Sequence, residues 1–331
     1  MNPRPSISIV IPTHNGAATL AACLQSVKPV LSPPDEIIVV DDASSDGSAE
    51  IARRFQCRVI RVDKNIGAAR AKNCGARIAR GDILFFTDDD VVVSPAALEH
   101  LAGDFVQAKV AGVVGLLERE IPFGNFASRY KNLWMRFTYA RLPREGIGVF
   151  YTSVAAIRRK IFLDLDGFDE NYAGASIAED TEFGQRVWGA GNWLILDPQV
   201  AGTHYKHYTL PQVLVTDYAR ARALVLMRLR KWGQAFFTSV PLFYQLAVPV
   251  VAATIVCLIL TALFPGMYTL TASILLIAAF YALNLPWLIY LARECGLTFA
   301  LFAAAFQPLD VLAVGAGMLA AGVEFARGTR Y

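Results

Sequence analysis

The chain has 331 residues, 55% of them hydrophobic, and 31 Lys and Arg stand against 28 Asp and Glu for a net charge of +3. So small a bias gives no electrostatic ground for nucleic-acid binding, while the apolar content exceeds the roughly 45–50% of ordinary soluble domains. The excess has one source: residues 232–292 hold no Asp, Glu, Lys or Arg, a run long enough to cross a bilayer twice at about 20 residues per span.

Residues 1–15 lack the apolar stretch of a signal peptide, so the charged head before residue 232 is expected to stay in the cytoplasm. Residues 6–12 alternate and are β-branched, which predicts a strand ending at Pro12. Asn15-Gly16 reads as a turn and residues 17–27 as a helix. Residues 36–40 form a continuous apolar strand of the kind buried on both faces in a parallel sheet. Asp41-Asp42 close it, and residues 44–47 turn into a helix over 48–55. A third strand covers 58–62, followed by Asn65-Ile66-Gly67 and a helix running through Arg77. A fourth covers 82–86 and ends in Thr87-Asp88-Asp89-Asp90. Strands alternating with helices at this spacing imply βαβ units and a doubly wound, mostly parallel α/β sheet.

In such sheets ligands bind beyond the carboxyl ends of the strands, and polar residues recur there: Thr13-His14-Asn15, Asp41-Asp42 and Asp88 to Asp90. No Gly-x-Gly-x-x-Gly follows the first strand and no Gly-Lys-Ser/Thr follows any, which disfavours dinucleotide and P-loop readings. Three consecutive carboxylates after a buried strand repel one another unless a cation sits among them. Asp88 and Asp90, two apart, point the same way if strand geometry continues. Such oxygen ligands suit Mg²⁺ or Mn²⁺ carrying a diphosphate; the competing reading is a solvated acidic turn.

Several ordered motifs go further. Ile11-Pro12-Thr13-His14-Asn15, Val39-Val40-Asp41-Asp42-Ala43-Ser44-Ser45-Asp46-Gly47-Ser48, Asn65-Ile66-Gly67-Ala68-Ala69-Arg70-Ala71-Lys72-Asn73-Cys74-Gly75 and Phe86-Thr87-Asp88-Asp89-Asp90, then Gly167-Phe168-Asp169-Glu170 and Ala178-Glu179-Asp180-Thr181-Glu182-Phe183, together resemble the family 2 glycosyltransferases of GT-A fold over about residues 6–210. The resemblance implies inverting transfer from a nucleoside-diphosphate sugar. Asp41 or Asp42 would contact the nucleobase, with Pro12, Thr13 and Asn15 beside it. Arg70 and Asn73, after Gly67, would lie near the diphosphate. Asp88 and Asp90 would hold Mn²⁺ or Mg²⁺, with Asp89 near the donor and His204 as a third metal ligand in some members. Asp180 would be the catalytic base, with Glu179 at its side.

The chemistry agrees, since a sugar hydroxyl needs a positioned base and a diphosphate leaving group needs its charge neutralised. Asp180 could instead simply complement a helix N-terminus. The Gln185-Arg186-Val187-Trp188 segment matches the acceptor motif of processive synthases only loosely.

Residues 126–139 read as a helix with Phe126, Tyr130, Leu133, Trp134 and Phe137 on one face, flanked by Arg129, Lys131 and Arg136. Such a helix either lies in a membrane interface or packs on the sheet. In the tail, spans are expected over 241–264, 267–292 and 297–323, the third interrupted by Gln307, Pro308 and Asp310 and so open to a re-entrant or interfacial placement. Asp310 would touch a lipid head group or, more in keeping with the cost of intramembrane charge, a neighbouring helix. Gly315 and Gly317 offer a small surface for a partner. Arg220, Arg222, Arg228, Arg230 and Lys231 precede the first span and belong on the cytoplasmic side. The five cysteines (Cys23, Cys57, Cys74, Cys257 and Cys295) form no CxxC and are expected to stay reduced.

The expected organisation is a cytoplasmic head over 1–215, a basic amphipathic juxtamembrane segment over 216–238 and a multi-pass bundle of about three transmembrane helices over 239–331 in the inner or plasma membrane. The expected acceptor is a hydroxyl of a lipid-linked glycan or a cell-surface polysaccharide, met among membrane lipids. Polyprenyl phosphate itself is the alternative acceptor, and a membrane-bound sugar-nucleotide sensor the non-enzyme alternative.

Overall fold

A computed structural model describes residues 4–31, 33–172, 178–230 and 235–328; Lys231 and Arg330 lie outside them. The first half of the head runs β1 (Ile7–Thr13), α1 (Leu20–Val27), β2 (Glu36–Asp41), α2 (Ser48–Arg54), β3 (Arg58–Arg61), α3 (Ala68–Ile78) and β4 (Ile83–Thr87). The second half runs β5 (Val91–Val93), α4 (Ala97–Asp104), β6 (Val110–Leu117), α5 (Phe126–Ala140), β7 (Val154–Arg158), α6 (Arg159–Asp164), α7 (Glu179–Gly189) and β8 (Trp193–His204). Four long helices follow: α8 (Leu210–Arg230), α9 (Leu242–Leu263), α10 (Met267–Cys295) and α11 (Leu297–Ala326).

The strands form one sheet in the order β3-β2-β1-β4-β7-β6-β8-β5. β3, β2, β1 and β4 are parallel, as the continuous apolar run of β2 and the strand–helix alternation predict. Beyond β4 the sheet is mixed: β7 runs antiparallel to β4 and β6, β8 parallel to β6, and the short β5 antiparallel to β8. That reversal brings the end of β8 against the strand following Asp90, with Val91 opposite His204. Behind the sheet, Phe86, Phe150, Phe162, Phe168 and Phe183 interlock, and the Phe162–Phe183 ring centroids are 5.0 Å apart. Edge-on and tilted aromatic contacts of this kind fix relative orientation as well as burying area, and they fasten α7 to β4.

α9, α10 and α11 are long and apolar enough to cross a membrane, with mean hydropathies of 2.7, 2.0 and 1.8. Their large side chains are widely exposed, from Leu242 to Phe325, which for a folded protein in water would be an unstable surface. The aromatic face of α5 meets these helices rather than open interface: Tyr130, Leu133 and Phe137 pack with Trp287, Leu291, Ala303 and Phe306. Its cations are also spent internally, Lys131 on Asp217 of α8 and Arg136 on the Leu117 carbonyl.

α8 lies alongside α11. A Cβ at Gly317 would overlap the Tyr218 carbonyl, so glycine permits the close approach, and Arg222 pairs with Glu324. Gly317 thus serves a contact within the chain. Asp310 accepts hydrogen bonds from Tyr130 and Tyr244, both at 3.0 Å.

Candidate active site

A cavity of about 680 Å³ opens where β1, β2 and β4 end. Its floor starts at the loop after β1. Thr13 Oγ1 donates to Asp89, and a Cβ at Gly16 would overlap both groups, so only glycine lets them meet. Asn15, at φ +56°, accepts from Ser45 N–H (2.8 Å) and donates its own N–H to Ser44 Oγ (2.9 Å), clasping the β1 and β2 loops together. Asn tolerates that left-handed backbone; Ala43, at φ +57°, does so at a cost of roughly 1–2 kcal/mol. Pro12 and Thr13 line the cavity, whereas Asn15 does not.

Asp41 and Asp42 part company. Asp41 is wholly buried, accepts from Ser44 N–H and lies 3.4 Å from Arg61 Nε. Asp42 lines the cavity, and its two oxygens accept from Ile66 N–H (2.7 Å) and Gly67 N–H (2.9 Å), pinning the loop that starts α3. Gly67 lines the cavity too. Arg70 and Asn73 do not: Arg70 is exposed beside Glu170 (3.6 Å), and Asn73 is buried with both amide atoms committed to the Phe168 backbone. α3 turns a different residue inward. Lys72, 3% exposed, reaches Thr152 and Glu179 (3.2 Å).

At the end of β4, Asp88 accepts from Ser153 Oγ (2.6 Å), Asp89 turns to Thr13, and Asp90 lies 3.3 Å from His204 Nε2. Burial pushes Asp89 up to about 7, with Asp90 and Asp88 adding to the effect against the Thr13 hydrogen bond. Burial works upward on Asp90 too, but the hydrogen bond and field of His204, with Lys206, bring it below the ordinary carboxylate value. Among the described residues no three His, Cys, Asp or Glu side chains are gathered closely enough to hold a metal ion as they stand. Asp90 and His204 touch, while Ser153 holds Asp88. The donor set nevertheless fits a hard divalent cation, since the carboxylate oxygens of Asp88 and Asp90 and the His204 imidazole line a single cavity.

Opposite stands the first turn of α7. Asp180, partly buried, accepts from Thr181 N–H (2.6 Å) and is pushed up to about 7, chiefly by burial and then by Glu179, against Lys72 and Arg220. Glu179 is 1% exposed; Oε1 meets Lys72, and Oε2 has no hydrogen-bond partner among the described residues. A carboxylate poised near neutrality can take a proton at working pH.

Lys206, Tyr208, Thr216 and Arg220 complete the wall. Their participation, like that of Lys72 and Ser153, was not foreseen. Lys72 had a signal in the motif it shares with Arg70 and Asn73, but only packing decides which face of α3 turns inward. Arg220 read as one of a run of juxtamembrane cations.

Residues 8–166 match the family model described as glycosyl transferase family 2. An uncharacterized glycosyltransferase of Haemophilus influenzae is 39% identical over 29% of this chain and 33% of its own length. The O-antigen chain rhamnosyltransferase RfbN of Salmonella typhimurium is 25% identical over 61% of this chain and 67% of its own. The chain thus spans from a third to two thirds of the length of these curated relatives. Among solved structures, the mannosyltransferase PcManGT of Pyrobaculum calidifontis, in complex with GDP-Man and Mn²⁺, superposes with a TM-score of 0.60 at 21% identity, covering 99% of this chain and 89% of that one. The shared fold therefore takes in the apolar helices as well as the head.

Proposed function

With residues 8–166 forming a glycosyl transferase family 2 domain, we propose that the chain transfers a sugar from a nucleoside-diphosphate donor to a hydroxyl of a lipid-linked glycan or cell-surface polysaccharide, at the cytoplasmic face of the membrane. The observation that carries this reading is Asp180, held near neutrality in the same cavity as Asp88, Asp90 and His204.

Asp42, Thr13 and Gly67 line the end of the cavity given to the nucleotide, and Asp89 joins them through Thr13. Asp88, Asp90 and His204 would hold Mn²⁺ or Mg²⁺, which when bound offsets the charge on the departing diphosphate. Lys206 adds a fixed positive charge beside those aspartates. On the facing side Asp180 removes the proton of the acceptor hydroxyl as its oxygen attacks the anomeric carbon. The bond from that carbon to the diphosphate oxygen breaks in the same displacement, so configuration inverts. Glu179, backed by Lys72, keeps Asp180 basic.

The head is tied to the membrane by α9 and α10, which cross it. α11 is set apart by its neighbour: a span there would draw the flanking α8, with Asp217, Arg220, Arg222, Arg228 and Arg230, into hydrocarbon at high cost. We place α8 and α11 together at the cytoplasmic surface, with the C-terminus on the same side as the head.

Replacing Asp180 with Asn tests the assignment. Transfer should fall by about 10²–10⁴-fold while nucleotide binding, measured by calorimetry with Mn²⁺, stays. Unchanged turnover would point to polyprenyl phosphate as the acceptor, because an anionic oxygen needs no base. Nucleotide binding without any turnover in the unaltered chain would point to a sensor.

A further inference from the structure

Arg220 is the side chain that joins two cavities. It lines the large one and also a narrow crevice of about 40 Å³ behind it, walled by Trp134, Met135, Leu224 and Val240. Thr181, the neighbour of Asp180, lines that crevice as well. We propose that Arg220 binds the phosphate of a membrane-lipid acceptor, whose hydrocarbon chain leaves through this crevice towards the bilayer. The proposal rests on the transferase reading above and names the acceptor of that same site.

Three observations support it. First, Arg220 forms no ion pair with a carboxylate among the described residues, and its guanidinium donates to Met135 Sδ at 3.0 Å. Its electrostatic neighbours are Tyr139, Tyr151, Asp180 and Asp217. A half-buried guanidinium that lines a cavity, with no carboxylate at ion-pair distance among the described residues, presents donors geometrically suited to bidentate phosphate binding.

Second, two of the cations that line the cavity act on different carboxylates. Lys206 faces Asp88, Asp89 and Asp90, at the donor end. Arg220 faces Asp180, where the acceptor loses its proton. An anion on Arg220 would therefore sit beside the residue assigned as the acceptor's base.

Third, the crevice walls come from α5, α8 and residues 238–240, which lead directly into α9, the first helix apolar enough to cross a membrane. Trp134, Met135, Leu224 and Val240 offer apolar surface to a chain, beside the hydroxyls of Thr138, Tyr139, Thr238 and Ser239. Because Arg220 and Asp180 share one cavity, the phosphate and the reacting hydroxyl belong to one compact head group. The acceptor is accordingly a lipid phosphate or diphosphate bearing a short saccharide.

The test uses the full chain in lipid nanodiscs with two photoreactive probes, a diazirine farnesyl phosphate and a diazirine farnesol. The expected result is labelling of peptides holding residues 134–138 and 238–240 by the phosphate probe. Excess farnesyl phosphate should compete it away, whereas equimolar inorganic phosphate or farnesol should not. Arg220→Gln should reduce that labelling at least tenfold with the farnesol signal unchanged, and Ser239→Trp should block the crevice to both probes. Should Arg220→Gln lower the melting temperature, Arg220→Lys provides the comparison, and partial labelling at normal stability is expected.

Equal labelling by both probes, competition by inorganic phosphate, or indifference to both Arg220 substitutions would overturn the proposal. Nucleoside-diphosphate binding with Mn²⁺ is read in the same samples. Its loss with phosphate labelling intact removes the transferase reading alone, and its persistence without such labelling removes the lipid site alone.

Discussion

The rim of the sheet and the joint between head and tail are made of similar parts used in opposite ways. At the rim, Asp88, Asp90 and Asp180 face a cavity, so their charges are available to a ligand. At the joint, Asp217 is closed over by Lys131, and Asp310 by Tyr130 and Tyr244. A carboxylate is functional or architectural according to what it faces, since burial without a partner is costly and burial with one is a constraint on geometry. α8 belongs to both regions: Asp217 fastens it to α5, and Arg220, about one turn on, enters the cavity.

Alterations at the rim should abolish chemistry and spare the fold, and those at the joint should do the reverse. The largest effect is expected from replacing both Asp88 and Asp90 with Ala, or from chelating divalent ions. Transfer should fall by about 10³-fold or more, with the melting temperature unchanged; full activity in chelator would sink the metal assignment. Next comes Lys131→Met, which strands a buried Asp217 and should cost about 3–5 kcal/mol in chemical denaturation. The double variant Lys131→Met with Asp217→Leu should recover most of that loss, and failure to recover would show that the pair acts through something other than its charges.

A smaller effect belongs to pH. Asp180 must be ionised to accept a proton, and its pKa lies at about 7. Its ionised fraction falls about tenfold per unit below that value and levels off above it. The rate of the unaltered chain should follow that curve, and a flat profile from pH 5 to 8 would dismiss Asp180 as the base. Gly317→Leu should cost about 1–3 kcal/mol through overpacking of α8 on α11. A single cysteine introduced at Tyr331 in a background without the native ones should react with a membrane-impermeant maleimide only when the head is also reachable. Labelling from the opposite face would restore α11 as a full span.

Much of the rim was legible before any tertiary contact was known. Parallel strands announce themselves by unbroken apolar runs such as Ile37 to Val40, and their ends carry Thr13, Asp42 and Asp88 to Asp90, which line the cavity. The mixed second half was not legible. β5, β6 and β7 carry continuous apolar runs like those of the parallel strands, so their direction and order depend on contacts far apart in the chain.

Sequence alone therefore determined the charge division between head and tail, the βαβ half of the sheet and the set of acidic groups at its rim, because these follow from local periodicity and composition. Tertiary structure alone decided that Lys72 turns inward in place of Arg70 and Asn73, that Asp42 and not Asp41 reaches the cavity, and that Arg220 leaves a basic run to face Asp180. The reason is physical: which side of a helix is buried, and which of two neighbouring side chains finds a partner, is settled by the surface packed against it, and that surface comes from distant parts of the chain.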